Sequence, residues 1–133
     1  MIRNGRPTNS KAQGGYIKLW RQIRESAVWE NSGVLHLWLD LLMRATHKTK
    51  KTIVTVAERP HLVELHPGQC VVRMRLLAED LRMSVNTLRS RLEMLRELGC
   101  VELQPTQRYT VVTVCNWKKY QDGEASSVSK NDT

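Results

Sequence analysis

The sequence predicts an α+β fold, and three observations carry that reading. Leu76, Leu77, Ala78 and Leu81 fall on one helical stripe, while Glu79, Asp80 and Arg82 face outward. Val85, Leu88, Leu92 and Leu95 form the stripe of a second helix, which begins after Ser84 and runs to Gly99. Val101 to Leu103 and Tyr109 to Cys115 have strand composition on either side of the polar run Gln104-Pro105-Thr106-Gln107-Arg108. Two short helices joined by a tight turn and followed at once by a hairpin have the order of a winged helix-turn-helix, here with a small antiparallel sheet and an additional N-terminal helical segment.

Each element has its own signal. Residues 1–15 mix Arg3, Arg6 and Lys11 with Pro7 and three glycines and show no hydrophobic period, so they read as a flexible basic arm. Tyr16 to Trp29 supplies core residues, but its alternating start and later helical spacing leave its type open. Ser32 to His47 predicts a helix: Val34, Leu37, Trp38, Leu41, Leu42 and Ala45 share a stripe that Leu35 and Leu39 widen. Such breadth implies burial on more than one side, under the sheet or in a dimer contact. Strand composition follows at Thr52 to Val56, after a basic turn Lys48 to Lys51, and again at Leu62 to Leu65 and Gln69 to Val72 around His66-Pro67-Gly68. One of these segments is expected to pair with the wing strands. Ser84 suits an N-cap, because its hydroxyl can accept from an unpaired amide of the next helix, and Gly99 suits the left-handed C′ position. The domain is expected to span 16–120, with 121–133 a polar tail or the start of a linker.

A helical pair packed on a small sheet can also serve without any nucleic acid. The outward face of the second helix weighs against that. At about 100° per residue, Asn86, Ser90, Glu93 and Glu97 lie opposite the core stripe, with Arg89 and Arg96 on one flank and Thr87 and Arg91 on the other. Asn pairs with adenine, Arg with guanine, and Ser or Thr with base edges or phosphates, and the N-terminal turns of such a helix are the ones that enter a major groove. Glu93 and Glu97 sit where the groove recedes. The polar hairpin tip places Arg108 within reach of a phosphate, Lys118 follows the last strand, and Arg3 and Arg6 on the arm suit phosphates or a minor groove.

The charge is distributed to match. The net charge is +8, with six Lys and Arg against one acid in residues 1–26 and nine against five in residues 73–119. An excess of this kind attracts polyanions by releasing their counterions. No run of about 20 apolar residues and no apolar signal core is present, so a cytoplasmic, non-membrane protein is expected. Cys70, Cys100 and Cys115 each adjoin a valine and read as buried thiols; no zinc-ligand spacing appears, so neither metal nor cofactor is expected. Phosphate-loop and nucleophile-elbow motifs are missing from the sequence, and Asp40 is a lone acid among leucines, so an enzyme is not expected.

One family shares several of these features in order. Gly15-Tyr16-Ile17-Lys18-Leu19, Trp29, the helix Leu37 to Ala45 ending at Thr46-His47-Lys48, Pro67-Gly68-Gln69, Leu77-Ala78, and Thr113 to Gln121 resemble the winged-helix N-terminal domain of phage replication proteins and DnaD-type replisome organisers. The resemblance implies binding of origin DNA or nucleation of assembly, followed by a linker to a region that engages the replicative helicase or its loader. It also assigns DNA contacts to Ser84, Asn86, Thr87 and Arg89 and to Arg108 at the wing. Three functions are therefore open: sequence-specific binding of double-stranded DNA as the origin-binding module of a phage, prophage or plasmid replication initiator; transcriptional regulation with the same fold; or protein assembly, as a homodimer or oligomer, through the Val34 to Ala45 helix.

Overall fold

The structure, a computed structural model, describes residues 15–121 without the side chain of Tyr120. The basic arm and most of the polar tail lie outside those residues. The segment of ambiguous periodicity has no regular structure up to Trp20 and then forms two short 3-10 helices, Arg21–Glu25 and Ala27–Glu30. Ser26 links them, its hydroxyl donating to the Ile23 carbonyl at 2.8 Å.

Asn31 opens α1 (Ser32–Arg44), accepting from the Val34 amide at 3.0 Å. The helix stops at Arg44 because Ala45 turns extended, at ψ 139°, and Thr46 then donates its N–H to the Gln69 carbonyl and accepts from the Gly68 amide. Val34, Leu37, Trp38, Leu41 and Leu42 are buried, with Leu35 and Leu39 packed beside them. The breadth of this stripe is used up within the chain, since α1 meets a 3-10 helix, another α-helix and two strands.

Two strands follow, β1 (Lys50–Val56) and β2 (Arg59–Leu65), paired antiparallel in a sheet of their own. Half of the expected basic turn is thus strand. β3 (Gln69–Val72) leads to α2 (Met74–Leu81) and α3 (Val85–Glu97), then β4 (Val101–Pro105), β5 (Thr110–Val114) and α4 (Trp117–Gln121). The second sheet has the order β3-β5-β4, all antiparallel, so β3 is the segment that pairs with the terminal hairpin. Cys70, Val72, Val101, Val112 and Val114 face the helices, whereas Val71, Val111 and Tyr109 meet Val54, Val56, Val63 and Leu65 of the β1–β2 hairpin. Helices, central sheet and hairpin therefore form three layers.

Three expectations need correction. Leu76 is not part of the α2 stripe: it is 48% exposed, because it lies ~150° around the helix from the centre of the arc covered by Leu77, Ala78 and Leu81. Gln121 does not begin a tail. It is buried in α4, where its amide accepts from the Lys18 N–H at 2.8 Å and donates to the Lys18 carbonyl at 3.0 Å, closing the segment before the first 3-10 helix onto the last helix. Cys70 is buried as expected, but Cys100 and Cys115 are only half-buried, as both lie outside the strands they border.

The β1–β2 turn is made by Ala57 and Glu58, at φ 54° and 64°. Both occupy the left-handed region that a two-residue hairpin of this hand demands, and neither is the Asn or Gly that tolerates it. The double substitution Ala57→Asn with Glu58→Gly is expected to stabilise the chain by about 1–2 kcal/mol. Urea denaturation checks this, and an unchanged midpoint would contradict it.

Candidate nucleic-acid interface

α3 has two distinct faces. Leu88, Leu92 and Leu95 are at most 1% exposed and pack against α1 and α2, while Asn86, Arg89, Ser90, Glu93, Arg96 and Glu97 are exposed. Its ends are fixed by backbone chemistry. Ser84 Oγ accepts from the Thr87 amide at 3.1 Å and donates to Thr87 Oγ1 at 2.9 Å, so both hydroxyls are engaged in the N-cap. At the other end Gly99, at φ +79°, lets Cys100 N donate to the Leu95 carbonyl and Gly99 N to that of Arg96, which completes a Schellman cap.

Within this frame the predicted contacts separate. Asn86, Arg89 and Ser90 share the open face, and Arg89 forms no ion pair among the described residues. Arg91 is turned elsewhere: it is half-buried, donates Nη1 to Met83 Sδ at 3.6 Å, and its guanidinium lies so close against Gly33 that an added Cβ there would collide with Cζ. Its position suits packing of α3 on the start of α1. Arg96 is tied to Glu93, and that hydrogen bond holds the Glu93 carboxyl below its usual range. The one arginine on this second half of the helix faces the two carboxylates of Glu93 and Glu97, and the open cation lies in the first half.

The β4–β5 tip is shaped by Thr106. Its Oγ1 accepts from the Arg108 amide at 3.1 Å and the Tyr109 amide at 3.0 Å and donates to the Tyr109 carbonyl, leaving the Arg108 side chain exposed. Gln104 and Pro105 belong to β4 and Tyr109 precedes β5, so the turn covers 106–109 rather than 104–108, and Cys115 falls beyond β5. Lys118 is exposed on α4, apart from the tip. Arg3 and Arg6 lie outside the described residues.

Two further exposed arginines were not singled out by the sequence. Arg59 is the first residue of β2 and Arg75 lies in the first turn of α2. No Asn-Gly or similar signal marks the turn before Arg59, which is why the hairpin is not legible in the sequence as one unit.

A concavity of about 820 Å³ runs between β1 and α2 and has little chemistry to offer. Its Arg44 is paired with Asp40 and Asp80, and burial pushes its Cys70 thiol up to about 12, so that sulfur stays protonated at neutral pH.

Among the described residues no three His, Cys, Asp or Glu side chains gather to hold a metal, and no helix is long and apolar enough to cross a membrane. The chain matches no protein-family model, no curated protein and no solved structure.

Proposed function

We propose that this chain binds double-stranded DNA in a sequence-specific manner through a winged helix-turn-helix, with α2 and α3 as the helix pair and β4–β5 as the wing. The observation that carries the reading is the open face of α3, where Asn86, Arg89 and Ser90 stand exposed on a helix whose opposite face is fully buried. A rigidly held helix that presents an amide, a guanidinium and a hydroxyl in its early turns matches what base edges in a major groove require. The order α1, β3, α2, α3, β4, β5, with β5 central in the sheet, supports the same reading. The role as origin-binding module of a replication initiator rests on the family resemblance of the motifs, and so does engagement of a helicase or loader.

Arg89→Ala tests this. It is expected to cost about 1–3 kcal/mol of affinity for a site selected from genomic fragments while leaving affinity for random duplex nearly unchanged. Equal loss on both would assign Arg89 to phosphate, and no loss on either would remove α3 from the interface.

A further inference from the structure

The β1–β2 hairpin and the β4–β5 hairpin end at the same side of the molecule, and the backbone register shows why. Thr110 pairs with both Val72, at the end of β3, and Pro105, at the end of β4, so α2 begins level with the β4–β5 tip. Arg73, the next residue after β3, donates Nη1 to the Thr55 carbonyl at 3.1 Å, and Thr55 pairs with Pro60 just below the β1–β2 turn. His61, one residue on, lies 6.4 Å from the Tyr109 ring. Both tips therefore project from one edge, with the N-terminus of α2 between them.

That edge is cationic. Arg59 and Arg108 occupy the two tips and Arg75 the first turn of α2; all three are exposed and form no ion pair among the described residues. Glu58 is the one carboxylate on the two tips and that first turn. An arginine in the first turn, which holds no acid, opposes the helix dipole, and the nearest carboxylate on the helix is Glu79, one turn on. A polyanion laid along the edge is attracted by both the guanidinium and the positive end of the helix and offsets that cost.

We propose that the β1–β2 hairpin is a second DNA-contacting arm, in which Arg59 binds a backbone phosphate of the same duplex that meets Arg75 and Arg108. This rests on the DNA reading above and extends its surface to an element outside the helix-turn-helix and its wing. The contact is assigned to phosphate, and equal weakening on every sequence is what separates it from a base contact.

The test is the affinity of the full chain for a mixed-sequence DNA duplex across a salt series. Arg59→Ala is expected to reduce the magnitude of the log affinity against log salt slope by about 0.9 and to weaken binding ~8-fold at 0.1 M salt, equally on all sequences. Arg59→Lys should keep the slope, and Glu58→Gln should tighten binding by removing a repelled carboxylate. Arg59 is exposed, so the variants should melt with the parent. A parent slope that Arg59→Ala leaves intact overturns the hairpin contact while the DNA reading stands. A parent without salt-dependent affinity overturns both. Loss of self-association in Ile53→Lys, with the Arg59→Ala slope unchanged, would assign the hairpin to a protein partner and overturn the proposal.

Discussion

Gly68→Ala is expected to destabilise the chain by about 2–5 kcal/mol, the sum of a left-handed backbone and an overpacked core. Gly68 is buried at φ +90°, and an added Cβ would lie 2.7 Å from Trp117 Cβ and 2.9 Å from its Cγ. Those atoms sit next to the backbone of α4, so relief requires the helix itself to shift. The position is also a junction: Gly68 N donates to the Thr46 carbonyl and Val114 N donates to the Gly68 carbonyl, both at 2.8 Å. Trp117 in turn meets His47 edge to face at 5.2 Å. Gly99→Ala provides the control, because Gly99 has a similar φ of +79° with nothing within 4 Å of its Cβ position. Urea denaturation of both variants separates strain from collision, and equal losses would contradict the packing argument.

Leu88→Ala is expected to cost about 2–5 kcal/mol of stability, through lost burial and the cavity left behind. Leu88 is 0% exposed and lies on α3 between Asn86 and Arg89, yet it points away from both. Measured well below its denaturation midpoint, the variant should bind the selected DNA site within ~2-fold of the parent, since the open face keeps its groups. A stable Leu88→Ala protein with strongly weakened binding would show that the two faces of α3 are not independent.

The elements with a clear period are the legible ones. The stripe Leu88, Leu92 and Leu95, the cap at Ser84 and the stop at Gly99 all follow from local chemistry, and the structure places them where the sequence does. Leu76 misleads because, over only eight residues of α2, adjacent leucines fit more than one stripe. The β1–β2 turn is hidden for the opposite reason: Ala57 and Glu58 carry none of the residue signals that their backbone angles demand. Long-range roles leave no local trace. The Gln121 amide reaches Lys18 across 103 residues, and Arg91 leaves the polar flank of α3 to cover Gly33. Residue type and spacing alone do not separate Arg91, which packs, from Arg89, which stands open.

The central claim, that the open face of α3 enters a major groove, is tested most directly by methylation interference on a DNA site selected from genomic fragments. Arginine reads guanine through its N7 and O6 acceptors, and a methyl on N7 blocks that edge. The account predicts that N7 methylation of a guanine within the protected site abolishes specific binding by the parent and has little further effect on Arg89→Ala. A parent protein that selects no fragment over random duplex, or that binds methylated and unmethylated sites equally, would contradict it.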